Sequence, residues 1–194
     1  TMRNAEFDRQ QVLRNAMYAF MGKGYSKTSM QDLTRATGLH PGSIYCAFEN
    51  KRGLLLAAID QYHEDRTRHL LALFAEDVPF KQKIQRYLDE IVAECLSCDV
   101  SQSCLLVKIL TEVGEQDADV AAKVSAYLQQ WQQALETAFA TAIADGEIPS
   151  APGAQASAQF LMMAIYGLRT YAHTHPHEQQ LRQLTAMLTQ QLLG

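Results

Sequence analysis

No segment of this chain alternates apolar and polar side chains over the roughly four to eight residues that a half-buried strand requires. Val and Ile are scattered, and Ala, Leu, Gln and Glu dominate. Apolar residues recur instead at helical spacing, and the only five prolines sit at natural joints. The chain therefore reads as all-α. Its 194 residues suffice for one compact domain, or for a small module joined to a larger one, with a sizeable core. With 47% apolar and 20% charged residues it is neither a disordered chain nor a fibre. No apolar run reaches the roughly 20 residues of a membrane-spanning helix. The polar start Met2-Arg3-Asn4-Ala5-Glu6 lacks a signal-peptide hydrophobic stretch. A cytoplasmic location with no membrane partner is the expectation.

The spacing predicts a first helix over Asp8 to Met21, carrying Val12, Ala16, Ala19 and Phe20 and ended by Gly22 and Gly24. Thr28 or Ser29 caps a short second helix to Thr37, with Asp32 in its first turn, where the helix dipole favours an anion. Gly38 breaks that helix, and Pro41 suits the first turn of a third, Pro41 to Phe48. Asn50 caps a long fourth helix from Lys51. Further helices are expected over Phe80 to Cys98, Cys104 to Val113, Asp117 to Asp145, Gly153 to His173 and Glu178 to Leu193, about nine in all.

The net charge of −4 hides an asymmetry. Residues 1–55 hold 8 Lys/Arg against 4 Asp/Glu, a net of +4, and the remainder holds 9 against 17, a net of −8. A basic head on an acidic body suggests that the head meets a polyanion. Residues 28–54, TSMQDLTRATGLHPGSIYCAFENKRGL, place a turn centred on Gly38-Leu39 between two short helices, the spacing of a helix-turn-helix. Leu33 and Ala36 on one helix, and Ile44 and Phe48 on the next, supply a shared core. The outer face of the second then offers His40, Gly42, Ser43, Tyr45 and Ala47. Small residues let a helix sink into the DNA major groove, and hydroxyls reach phosphates and base edges. Lys51 and Arg52 open the next helix, where backbone N–H groups and a cation can grip one phosphate together.

The stretch from Arg9 to Ile59 resembles the DNA-binding domain of the TetR/AcrR family of bacterial one-component repressors. Phe20, Gly24, Tyr25, Thr28, Ser29, Met30, Asp32, Leu33, Gly38, Leu39, Gly42, Ser43, Ile44, Tyr45, Phe48, Lys51 and Leu54 carry the resemblance in one register. It implies a three-helix helix-turn-helix DNA-binding domain over residues 1–50 and a larger helical ligand-binding and dimerisation domain over residues 51–194. It also implies a homodimeric repressor on a palindromic double-stranded operator, released by a signal in the body. Thr28 or Ser29, Tyr45 and Lys51 should contact phosphates, while His40, Pro41, Gly42 and Ser43 should face bases or the groove wall. The chain departs from the common pattern at Pro41, where Lys or Arg is frequent, and at Cys46-Ala47, where His, Tyr or another aromatic is common.

For the signal, two routes stand open. The body offers aromatic residues suited to a small-molecule cavity, among them Tyr87, Tyr127, Trp131 and Tyr166, with Trp131 able to flank a ligand and donate a hydrogen bond. The other route is Cys104, whose thiolate a helix first turn favours and which has Lys108 one turn on. Ser101 or Ser103 can cap that helix. Ser103-Cys104-Leu105-Leu106-Val107-Lys108 resembles a subgroup that senses electrophiles or oxidants, such as the N-ethylmaleimide-responsive repressors, with Cys95 and Cys98 as resolving partners. A buried, unreactive Cys104 is the competing expectation.

The last two helices are the expected dimer interface: Leu161, Ile165 and Leu168 line one, and Leu181, Leu184 and Leu188 form a stripe on the other, making a four-helix bundle across two copies. Cys95-x-x-Cys98 finds no second pair, and His173, His175 and His177 fall in a connection, so neither a metal nor another cofactor is expected. The chain carries no paired carboxylates, nucleophile–base motif or phosphate-cradling glycine loop, which sets a small helical enzyme behind two other readings: a DNA-binding regulator and a helical interaction module without DNA.

Overall fold

A computed structural model describes residues 2–97 and 104–194, with side chains from Arg9 onward. Among the described residues there are nine helices and no strand: α1 (Met2–Lys23), α2 (Met30–Thr37), α3 (Pro41–Phe48), α4 (Lys51–Phe74), α5 (Phe80–Leu96), α6 (Leu105–Val113), α7 (Ala118–Ala144), α8 (Ala154–Ala172) and α9 (Glu178–Leu193). Each sits where the apolar spacing placed one. The largest difference is at α1, which begins six residues before the expected Asp8. The added residues favour helix but carry none of the apolar stripe from which the start was read. Cys104 is the N-cap of α6 rather than part of its first turn. Cys98, Ser101 and Ser103 lie outside the described residues.

The chain divides into two compact units, Thr1–Arg66 with Ser103–Tyr127, and Thr67–Gln102 with Leu128–Gly194. In the first, α1 contacts α2 and α6, and α2 contacts α3. Ala16, Phe20, Leu33, Ile44, Leu54, Leu55, Ala58 and Ile59 are fully buried there, as are Leu105 and Ile109 of α6. Gly38 closes α2 at φ 71°, a left-handed conformation that costs a residue without Cβ nothing, and its N–H donates to the Thr34 carbonyl at 2.9 Å.

In the second unit α5, α8 and α9 contact one another, and α7 contributes Leu135, Phe139 and Ala142 to their shared core. Ile84, Leu88 and Ile91 of α5 meet Leu161, Ile165 and Leu168 of α8 and Leu181 and Leu192 of α9 in that core. Phe80 stands edge-on to Phe139 with ring centroids 5.1 Å apart, a preferred aromatic geometry. The Glu147 carboxylate accepts the Phe80 N–H at 2.7 Å, supplying the cap that the proline at position 79 cannot. Arg169, only 9% exposed, is neutralised by Glu94 at 2.7 Å. No buried side-chain N or O among the described residues lacks a hydrogen-bond partner.

Truncating the side chain at the centre of this core removes a ring with no solvent-facing atoms. Phe139→Ala should therefore destabilise the fold by about 3–5 kcal/mol, read as a lowered urea midpoint at unchanged slope. A shift below 1 kcal/mol would mean that the second unit does not rest on this cluster.

Candidate nucleic-acid interface

The eight residues of α2 are held at their start by a reciprocal cap. Ser29 Oγ accepts the Asp32 N–H at 3.0 Å, and Asp32 Oδ2 accepts the Ser29 N–H at 2.9 Å. Lys23 Nζ donates to Asp32 Oδ1 at 2.8 Å and, with the Ser29 bonds, holds that carboxyl far below the ordinary range. After the Gly38 turn, the His40 carbonyl accepts the N–H groups of Ser43 and Ile44 and starts α3, with Pro41 in the first position. Only Ile44 and Phe48 of α3 are buried, and the Arg9 guanidinium lies 4.8 Å from the Phe48 ring centre. His40, Pro41, Gly42, Ser43, Tyr45, Cys46 and Ala47 all face solvent, Tyr45 at 52% exposure. The structure thus brings the expected groove-facing residues onto one open surface.

Two neighbours of that surface differ from expectation. Thr28 was a candidate for a phosphate contact or for the α2 cap. It is fully buried instead, with its hydroxyl donating to the Gly24 and Ala19 carbonyls, so only Ser29 keeps an exposed hydroxyl there. Arg52 is bound to Asp117, with Nη2 3.0 Å from Oδ1, and has Asp119 3.4 Å away. Lys51 beside it lies over the Tyr25 ring, 4.3 Å from its centre, and the Asn50 side chain caps α4 by accepting the Gly53 N–H at 2.8 Å. Of the two cations at this helix start, Arg52 is engaged by Asp117 and Asp119.

The expected sensing residues fall into separate places. In the second unit Trp131 Nε1 donates to the Tyr87 hydroxyl at 3.0 Å and stands edge-on to Tyr166 at 5.7 Å. Tyr166 also lines a cleft of about 360 Å³ with Leu128, Gln129, Gln132, Gln159, Met162 and Met163, a set holding no ionisable side chain apart from the tyrosine. Tyr127 is not part of this group. In the first unit its hydroxyl donates to Asp60 at 2.6 Å, its ring stacks on His63 at 3.8 Å, and burial followed by the Asp60 contact pushes its pKa up to about 12. Cys104 is half-buried, and its sulfur receives the Tyr62 hydroxyl at 3.6 Å. Lys108 donates to the Met21 carbonyl at 2.6 Å. Cys95 is buried in the second unit, where burial pushes its thiol up.

Of the expected dimer residues, Leu161, Ile165, Leu168 and Leu181 are spent in the second unit's own core. Leu188 packs against that core, and Leu184 is 42% exposed. The outward apolar surface of α8 and α9 is made by Phe160, Met163, Tyr171, Leu184 and Met187 instead. No group of three or more His, Cys, Asp or Glu residues among the described ones could hold a metal ion.

Residues 12–58 match the model of bacterial regulatory proteins of the tetR family, and residues 81–188, more than half of the chain, match the tetracyclin repressor-like C-terminal domain. The chain belongs to the TetR family. It is a DNA-binding transcriptional regulator. This TetR-family regulator is 28% identical over 179 residues to the HTH-type transcriptional repressor ComR of Escherichia coli K12, covering 92% of this chain and 85% of ComR. A TetR transcriptional regulator from Chloroflexus aurantiacus superposes with a TM-score of 0.82 at 25% identity, covering 97% of this chain and 95% of that one. A cysteine mutant of the TetR family transcriptional regulator CifR, complexed with 26-base-pair double-strand operator DNA, superposes with a TM-score of 0.81 at 25% identity, covering 94% and 95%.

Sequence reading of this regulator missed the acidic residues that grip the head from α6 and from the position just before α7. Glu112 accepts the N–H groups of Tyr25 and Ser26, and Asp117, read only as a helix start, holds Arg52. No local signal marks pairs separated by 65 to 87 residues. The Arg52 guanidinium, followed by the Val120 N–H, lowers Asp117 from its ordinary 3.8 to about 2. A carboxylate depressed by folding stabilises the folded state above its unfolded pKa, and that contribution disappears as pH falls from about 4 to 2. Asp117→Asn should flatten the acid limb of the thermal-melt profile over this window. An unaltered acid limb would show that the Arg52 pair contributes nothing to stability.

Proposed function

We propose that the chain is a homodimeric repressor that binds a palindromic operator through α3 and is released by a cue sensed in its body. The observation that carries this reading is the outward face of α3, where small and hydroxyl-bearing side chains stand free while Ile44 and Phe48 anchor the helix from beneath. Ser29, Tyr45 and Lys51 take the phosphate backbone; His40, Pro41, Gly42 and Ser43 meet the groove. Pro41 carries no donor, so sequence readout falls to His40, Ser43 and the shape of the duplex. Divided by role, residues 1–50 read DNA and residues 51–194 sense and pair. The regulator works in the cytoplasm, where its operator is, and no described helix is long and apolar enough to cross a membrane.

Pairing uses the outward side of α8 and α9. Phe160, Met163, Tyr171, Leu184 and Met187 form an apolar surface of the kind that a second copy covers, while the buried leucines support it from behind. The effector is a small molecule seated by Trp131, Tyr87 and Tyr166. These rings already cluster beside an uncharged cleft, which suits an uncharged, partly aromatic compound. A second switch is modification of Cys104 by an electrophile or oxidant: the thiol is free, only half-buried, and lies 3.6 Å from the Tyr62 hydroxyl. It needs no cofactor.

Two measurements test the reading. In electrophoretic shifts with the DNA upstream of its own gene, affinity should fall steeply with salt. Lys51→Ala should lower the slope of log affinity against log salt by about 1. Tyr45→Ala should weaken binding about tenfold, the worth of one hydrogen bond to a charged group. Salt-independent binding, or wild-type affinity in both variants, would favour an interaction module without DNA. In a Cys46→Ala background, which removes the exposed thiol of α3, Cys104→Ser should keep DNA binding and lose release by N-ethylmaleimide or peroxide. Undiminished release would assign the signal to the aromatic cleft or to another thiol.

A further inference from the structure

The corner between α1 and α2 is held by a helix far along the chain. At Gly24 the backbone turns left-handed (φ 83°), and the N–H groups of Tyr25 and Ser26 follow one another as a concave pair of donors. Glu112 of α6 fills that pair: Oε2 accepts from Tyr25 at 3.0 Å and Oε1 from Ser26 at 2.8 Å. Were α1 to continue, the Tyr25 N–H would meet the Met21 carbonyl. Lys108 takes its place, donating its ammonium to that carbonyl at 2.6 Å. Lys108 and Glu112 are four residues apart on one face of α6, so a cation meets the carbonyl end of α1 while an anion meets the turn's donors. Burial pushes the Glu112 carboxyl up, but the Ser26 and Tyr25 N–H groups outweigh it and hold the group below its ordinary range. The fit is close. A Cβ on Gly24 would lie 2.7 Å from Glu112 Oε2.

This clamp is separate from what folds the head. The core under α2 and α3 is Phe20, Leu33, Ile44 and Phe48, and α2 has its own cap in Ser29 and Asp32. The clamp's carboxylate instead fixes the segment just before that cap, two residues from Thr28 and three from Ser29. α2 in turn contacts α3, the helix that carries the outward face.

We propose that Lys108 and Glu112 are positioning residues for operator recognition: by clamping the α1–α2 corner from α6 they set the pose in which α3 meets the groove. The inference rests on the DNA-binding reading above. It makes α6, whose N-cap is Cys104, part of the DNA-reading machinery rather than of the sensing body alone.

The test uses the full chain and a duplex that the wild-type protein selects from a randomised pool, with affinity measured by fluorescence anisotropy well below the melting temperature of each variant. Glu112→Ala and Lys108→Met should each bind the selected duplex at least tenfold more weakly. They should also lose the preference among duplexes whose half-site spacing is lengthened or shortened by a base pair. Glu112→Gln, which keeps one carbonyl oxygen, should fall between. Gly24→Ala should weaken binding in the wild-type background and less in the Glu112→Ala background, where the left-handed backbone is still strained but the atom the new methyl collides with is gone. Variants with wild-type affinity and spacing preference would overturn the proposal. So would losses that track melting temperature alone, with Gly24→Ala and Glu112→Ala adding independently. A wild-type protein that selects no duplex overturns the DNA-binding reading and this inference with it.

Discussion

A helix of eight residues does not persist alone in water, because its nucleation cost exceeds what two turns of hydrogen bonds return. Everything α3 can do therefore depends on Ile44 and Phe48, which tie it to the head. With the inner face reduced to those two side chains, the other residues of α3 all face solvent and are not needed for packing. The same economy explains the neighbouring helix. Leu33 alone of α2 is buried, so the reciprocal Ser29–Asp32 cap and the Gly38 turn supply the definition that a larger apolar face would otherwise give.

The second unit follows the opposite plan. Here α5, α8 and α9 are anchored by long apolar rows, and even the charged Arg169 is drawn in and paired with Glu94. A core so filled leaves the cleft beside Tyr166 at its edge, with Met162 facing it from the core and Met163 from the exposed side.

Much of this was legible in the sequence, and the reasons are local ones. Proline at 41, glycine at 38 and the capping candidates before Met30 mark helix ends through backbone chemistry within a few residues, so α3 was placed to the residue and α2 to within one, its cap left between Thr28 and Ser29. Two kinds of information were out of reach. Apolar periodicity shows which side of a helix is buried but not against what: Leu161, Ile165, Leu168 and Leu181 have the pattern expected of an interface, yet they fill their own unit, and the open surface belongs to Phe160, Met163 and Met187. Pairings across distant segments leave no local trace. Nothing near Thr28 announces that its hydroxyl turns inward, nor anything near Glu112 that its carboxylate reaches the first helix corner.

The placement of Cys46 bears on any thiol chemistry done with this molecule. It lies uncovered on α3, the helix proposed to enter the groove, while Cys95 is enclosed and Cys104 is partly shielded beside Tyr62. Among the described cysteines an alkylating reagent therefore finds Cys46 most readily, and on the proposed reading a bulky adduct there would wedge protein and nucleic acid apart by plain obstruction. Dissociation after such treatment has a steric route that involves no signalling at all, and a Cys46→Ala background separates the two.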